Sequence, residues 1–130
     1  MSRVRDHMAR NLVTLSPEMP LLDAMKTLLD RRISGAPVVE AGGRLVGVLS
    51  KKDCLRAALH ASYHRDWGGV VADRMSRDVE TLEPDLAIVS AAERFIDSNY
   101  RRFPVVDAGR LVGQISRADV LAALAAHWRG

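Results

Sequence analysis

One cysteine, Cys54, stands among 130 residues, so no internal disulfide can form and the fold must hold without covalent staples. That usage fits a reducing compartment. No apolar run approaches the roughly 18 residues that span a bilayer. The opening Met1-Ser2-Arg3-Val4-Arg5-Asp6-His7 lacks the apolar stretch and small-residue cleavage site of a secretory signal. A cytoplasmic protein away from membranes is expected. Aromatic residues make up only 5% of the chain, and the net charge of +3 is spread over separate pairs, Arg31-Arg32, Lys51-Lys52 and Arg101-Arg102. A nucleic-acid surface concentrates basic charge in a stripe with interleaved aromatics, so DNA and RNA are not expected partners. Small phosphorylated ligands are well served by such pairs.

Catalytic groupings are missing too. No Ser-His-Asp arrangement, paired-carboxylate cleft or phosphate-cradling glycine loop can be argued, and the chain is not read as an enzyme. Cys54 directly follows Asp53 on the apolar side of an expected helix, where an inert buried thiol is the better reading than a nucleophile. His60, Tyr63 and His64 fall at i, i+3 and i+4, so the two imidazoles share a helical face within reach of Asp66 or Cys54. Two histidines make half a metal site, and helix-end contacts account for them as well. Trp67 and Trp128 are expected to bury area in a linker and at an interface.

What the chain does have is a repeat covering nearly its whole length. Pro37-Val38-Val39 with Arg44-Leu45-Val46-Gly47-Val48-Leu49-Ser50-Lys51-Lys52-Asp53 recurs as Pro104-Val105-Val106 with Arg110-Leu111-Val112-Gly113-Gln114-Ile115-Ser116-Arg117-Ala118-Asp119. Val4, Asp6 and Met8 match Val71, Asp73 and Met75 at a constant offset, as Thr14-Leu15-x-Pro17 matches Thr81-Leu82-x-Pro84. The offset changes only where Ala41-Gly42-Gly43 faces Ala108-Gly109, which puts the length change in a turn. Each copy becomes a structural unit paired with its twin: residues 1–61, a linker at 62–69, and residues 70–130.

Within each copy, helix and strand signals alternate. Ser16-Pro17 reads as a helix start, followed by Leu21, Ala24, Met25, Leu28 and Leu29 on one face; Ile88, Ala91, Ala92, Phe95 and Ile96 repeat that stripe. Short β-branched runs, Ala36 to Val39 and Leu45 to Leu49, then Phe103 to Val106 and Leu111 to Ile115, predict a hairpin in each copy. A final helix follows, Ser50 to about Ala61 and Ser116 to about Trp128, the second rich in alanine. Ser50-Lys51-Lys52-Asp53 and Ser116-Arg117-Ala118-Asp119 stand where strand turns into helix. Serine followed three residues later by an acid is a capping box. The same geometry offers amides to a phosphate and a carboxylate to a ribose diol.

These residues, with Gly35-Ala36-Pro37 and Phe103-Pro104 ahead of them, resemble the cystathionine-β-synthase-type (CBS) domain, and the two copies resemble a tandem CBS pair, or Bateman module. The resemblance implies an α/β fold of the α+β kind, with two β-α-β-β-α units packed as a pseudo-twofold pair around two clefts. It implies a regulatory adenosine nucleotide, AMP, ADP or ATP, or alternatively S-adenosylmethionine, as ligand, with no other cofactor. Asp53 and Asp119 would take ribose hydroxyls, and Ser50 and Ser116 phosphate or ribose. Thr14 and Thr81 would approach the adenine, while Gly35, Ala36, Pro37, Phe103 and Pro104 would line the clefts. Lys51 and Arg117 would add positive charge near a phosphate. Small residues at Ser34-Gly35-Ala36 leave more room than the bulky, basic Arg101-Arg102-Phe103, so the second cleft is expected either to bind a more highly phosphorylated ligand or to be narrowed and empty, and the first to be the more competent. A homodimer through the helix faces Leu21 to Leu29 and Val120 to Ala126, signalling to a separate effector protein, completes this expectation. The competing reading is a structural dimerisation module whose Ser-x-x-Asp motifs are only caps.

Overall fold

The computed structural model describes residues 2–66 and 68–129, so the expectation for Trp67 lies outside the described residues. In the first copy, helix α1 spans Leu21–Asp30 and hairpin strands β1 and β2 span Gly35–Val39 and Leu45–Ser50. Helix α2, Lys51–His64, follows without a gap. The second copy repeats the series as α3 (Ile88–Ile96), β3 (Arg102–Asp107), β4 (Arg110–Ser116) and α4 (Arg117–Arg129). Each hairpin is an antiparallel two-stranded sheet with a register shift at an equivalent place, Val38/Val39 and Val105/Val106.

The length difference between copies sits in the hairpin turns. Gly42 and Gly43 both take positive φ in the first. In the second, Asp107 pairs directly with Arg110 across Ala108-Gly109, also both at positive φ. A two-residue loop with both φ values positive matches the twist of the strands it joins.

Two expectations for the first helices need correcting. Helix α1 starts four residues after Pro17, with Pro20 as its N-cap, and α3 starts four residues after Pro84 with Ala87 in the same place and nearly the same extended conformation. Leu29 and Ile96 leave the core stripe, at 64% and 84% exposed. At 100° per residue, position i+8 lies about a quarter-turn from the centre of an i, i+3, i+4, i+7 stripe. Of the remaining stripe residues, Leu21, Ala24 and Leu28, and Ile88, Ala91 and Phe95, are buried, while Met25 and Ala92 are half-buried.

The compact units also cut across the sequence copies. One comprises Met1–Leu12 with Glu80–Gly130, the other Val13–Val79. The opening segment of the first copy therefore serves the second hairpin: Ala9 exchanges two backbone hydrogen bonds with Gln114, of 2.8 and 2.9 Å, and Val4 is buried with Phe103 and Ile115. Likewise Ser76 exchanges two 2.9 Å bonds with Val48, and Val71 and Met75 join the core of Leu15, Leu28 and Leu49. Each compact unit thus takes its opening segment from the other sequence copy. Ser62 to His64, expected to open the linker, form the last turn of α2, which is capped by Arg65 in a left-handed conformation.

Gly47 and Gly113 make the exchange possible. A Cβ on Gly113 would lie 2.9 Å from the Ala9 carbonyl oxygen and 2.6 Å from Met8 Sδ; on Gly47 it would meet Ser76 O and Met75 Sδ, each at 2.8 Å. On the opposite edge, Leu15 pairs in parallel with Val38 and Leu82 with Val105, the one-residue remnant of the first strand of each expected β-α-β-β-α unit. No described helix is long and apolar enough to cross a membrane.

Candidate functional site

Both Ser-x-x-Asp motifs form closed capping boxes. The Ser50 amide donates to Asp53 Oδ2 at 2.9 Å and the Asp53 amide to Ser50 Oγ at 3.0 Å; in the second copy the same pair of bonds, Ser116 with Asp119, measures 2.9 and 3.1 Å. A second first-turn amide is also taken, since Lys51 donates to Ser34 O at 2.8 Å and Arg117 to Arg101 O at 3.0 Å. Two of the first three amides of α2 and α4 are thus occupied, and the helix ends offer a phosphate less than the motif alone suggested.

Capping leaves chemistry to spare. A carboxylate has about four acceptor positions and each box uses one, while the serine hydroxyl accepts a bond and keeps its own proton to donate. The box therefore locks both side chains in place and leaves Oδ1 for a diol. The copies differ there. Asp53 Oδ1 has Arg56 Nη1 at 3.6 Å, whereas no ion pair to Asp119 occurs among the described residues.

A pocket of about 190 Å³ opens over the second motif, lined by Ala9, Arg102, Gln114, Ser116 and Asp119. They come from four pieces of the same unit. Arg102 is the first residue of β3 and pairs with Ser116 at the end of β4, Gln114 lies two residues back on the same face, and Ala9 is the exchanged edge segment. Such a volume matches part of a nucleotide, not a whole drug-sized ligand.

The expected site residues distribute unevenly. Ser50 and Asp53, like Ser116 and Asp119, are half-buried at their helix starts, while Lys51 is exposed. Gly35 pairs with Ser50 as Arg102 pairs with Ser116. Ala36 and Phe103 face the cores: Ala36 is 1% exposed, and the fully buried Phe103 ring has its centroid 4.7 Å from that of Phe95 and 5.1 Å from that of Tyr100. The expectation that Phe103 bulk narrows the second cleft is corrected by strand alternation, which turns Phe103 inward and leaves Arg102 on the pocket face. Pro37 and Pro104 are buried, and their carbonyls accept the amides of Leu15 and Leu82 at 2.9 and 3.0 Å. That pairing sets Thr14 and Thr81 beside β1 and β3, Thr14 exposed and Thr81 half-buried. Arg117 does not line the pocket. Its Nε donates to Tyr100 O at 2.8 Å, and its side chain borders an apolar groove between α3 and α4.

Three pocket residues are absent from the expected site set: Arg102, expected as bulk or as charge toward a more highly phosphorylated ligand, Gln114, expected only as a strand residue, and Ala9. Counting alternate residues along β3 and β4 would have found the first two; Ala9 depends on the exchange, which no local pattern encodes.

Elsewhere, His60 and His64 stack with ring centroids 4.5 Å apart, and no group of three or more histidine, cysteine or acidic side chains able to hold a metal occurs among the described residues. Burial, and secondarily the Asp53 carboxylate, push the Cys54 thiol above its ordinary value. Trp128 is 92% exposed on this chain.

The family model described as CBS domain matches residues 4–60 and 71–126. Protein MJ1225 of Methanocaldococcus jannaschii is 32% identical over 125 residues, which cover 96% of this chain and 44% of that protein. An A-adding tRNA nucleotidyltransferase of Aquifex aeolicus is 34% identical over 122 residues, 94% of this chain but 14% of the enzyme. The chain thus spans less than half the length of these two relatives. A solved structure of CBSX2, a CBS-pair protein from Arabidopsis thaliana, in complex with AMP superposes with a TM-score of 0.85 at 30% identity, covering 99% of this chain and 100% of that one. With both copies matched and the fold shared end to end, the chain belongs to the CBS-domain family and is a tandem pair of CBS domains.

Proposed function

We propose that the chain is a regulatory module that binds an adenosine nucleotide and passes the signal on through dimer geometry or to a separate effector protein. The observation that carries this reading is the pocket over Ser116 and Asp119, where a fixed carboxylate with acceptors to spare stands with a serine hydroxyl and a cation in about 190 Å³. The AMP-bound relative, alike over the full chain, supports the ligand class. Asp119 takes the ribose hydroxyls and Ser116 donates to ribose or phosphate; Asp53 and Ser50 play the same parts in the first copy. Gly35, Ala36, Pro37, Lys51 and Thr14, and Phe103, Pro104, Thr81 and Arg117, complete the neighbourhood, with Ala36 and Phe103 acting through the cores behind it.

A second copy covers the apolar helix faces. Leu22, Leu29, Leu55 and Leu59 are each more than half exposed in one unit, as are Ile96 and Leu121 in the other, beside the α3–α4 groove of about 440 Å³. A ligand shifts such an assembly only by its difference in affinity for two states. The competing reading, a structural dimerisation module, draws support from the capping boxes, which are closed without any ligand.

Calorimetric titration with AMP, ADP, ATP and S-adenosylmethionine separates the two. The nucleotide reading expects saturable binding that Asp119→Asn weakens while leaving the thermal midpoint nearly unchanged. Silence from all four ligands supports the structural module.

A further inference from the structure

We propose that His60 and His64, at the end of α2, form a two-imidazole chelate for a transition-metal cation of the copper(II), nickel(II) or zinc class. The site stands apart from the Ser-x-x-Asp motifs and does not depend on the nucleotide reading. It belongs to the first copy alone: at the offset that relates Asp53 to Asp119, the matching residues are Ala126 and Gly130.

Residues four apart on an α-helix project from one face, and here the two imidazoles meet, with ring centroids 4.5 Å apart and 38° between the ring planes. A cation about 2.0–2.1 Å from one nitrogen of each ring needs those nitrogens about 3 Å apart, and rings this close reach that spacing by small side-chain rotations. Both side chains are exposed, so nothing packed against them opposes the turn. Neither imidazole makes a hydrogen bond among the described residues, so the helix-end contacts that would otherwise account for the pair do not form there.

The surroundings suit a cation. His64 stands in the last turn of α2, where unsatisfied carbonyls give the helix end a partial negative charge. Arg56, one turn before His60, reaches back toward the start of the helix, with Nη1 3.6 Å from Asp53 Oδ1, so its charge is drawn away from the imidazoles. Two neutral nitrogens with the other positions left to water select copper, nickel and zinc over magnesium and calcium, which seek oxygen. At 100° per residue the pair lies about 140° round α2 from the exposed Leu55 and Leu59, so a second copy seated on those leucines leaves the imidazoles within reach of solvent.

The test is titration of the untagged full chain with nickel(II), zinc and magnesium chlorides, read by calorimetry and by thermal melting, on the parent and on His60→Ala and His64→Ala. The expected result is saturable binding of nickel and zinc with no response to magnesium. Either substitution alone should weaken nickel about 100-fold, the loss when one of two linked contacts is removed. Without metal, both variants should melt within about 2 °C of the parent, because the side chains they lose are exposed. Nickel should raise the parent's midpoint far more than either variant's, since the chelate holds the last turn of α2 in its helical form. Nickel binding that survives both substitutions together lies elsewhere on the chain and overturns the site. A loss of only about twofold from one substitution reduces the pair to independent imidazoles and overturns the chelate. Magnesium binding as tightly as nickel, or no response to nickel and zinc by either readout, overturns the proposal as well.

Discussion

Replacing Gly113 by alanine puts a methyl group where the exchanged segment lies against β4. Its carbon would sit 2.9 Å from the Ala9 carbonyl oxygen and 2.6 Å from Met8 Sδ. The thioether can swing aside, but Ala9 O belongs to a backbone tied to Gln114 by two hydrogen bonds. Relieving the contact means lifting the segment off the strand. Losing those two bonds costs about 1 kcal/mol each, and partial exposure of Met8 adds about 1 kcal/mol. Replacing a strand glycine returns about 0.5–1 kcal/mol of backbone entropy. The net is about 2–2.5 kcal/mol. At about 2.1 cal/mol/K of unfolding entropy per residue over 130 residues, the midpoint should fall by about 7–9 °C. Thermal unfolding followed by circular dichroism reads this directly. Gly47→Ala should behave alike, with Ser76 O in the place of Ala9 O. Adding Met8→Ala to Gly113→Ala should not restore stability, since the backbone contact remains. A Gly113→Ala protein melting within about 2 °C of the parent would refute the claim that this glycine pins the exchanged segment.

Phe103→Ala should cost about 3–5 kcal/mol in urea unfolding, because the ring is fully buried against Phe95 and Tyr100; a loss below about 1 kcal/mol would place the ring outside the core. Ser116→Ala should cost about 1 kcal/mol by removing the cap, whereas Asp119→Asn keeps an acceptor for the Ser116 amide and should cost less; equal losses in thermal melts would contradict this division. The Cys54 thiol, raised by burial and by Asp53, should resist alkylation until the protein unfolds. Because its folded value lies above the unfolded one, the stability this gives is full below the ordinary value of 9.0 and is lost as pH rises through the folded value. Rapid native labelling at pH 8 would contradict the burial.

Much of this architecture is legible in the residues. Apolar spacing located α1 and α3, the β-branched runs gave both hairpins, and the Ala41-Gly42-Gly43 against Ala108-Gly109 difference put the length change in a turn. Local patterns carry such elements because each is stabilised by neighbours in sequence. The exchange of opening segments is different. Val4 and Met8 match Val71 and Met75, which marks them as part of the repeat, but nothing local says which hairpin each segment joins. The indirect clue is glycine at Gly47 and Gly113, in strands whose alternation calls for a side chain, and there it signals close backbone approach. At the site, Ser116 and Asp119 were visible as a motif. Arg102 and Phe103 stand in one bulky, basic stretch of sequence, and only alternation along β3 assigns them to opposite faces.

The most direct test of the nucleotide-binding account is a crystal structure of the protein grown with AMP. The account predicts the ribose hydroxyls on the Asp119 carboxylate and the phosphate on Arg102. A nucleotide seated away from Ser116 and Asp119, or none at saturating AMP, would contradict it.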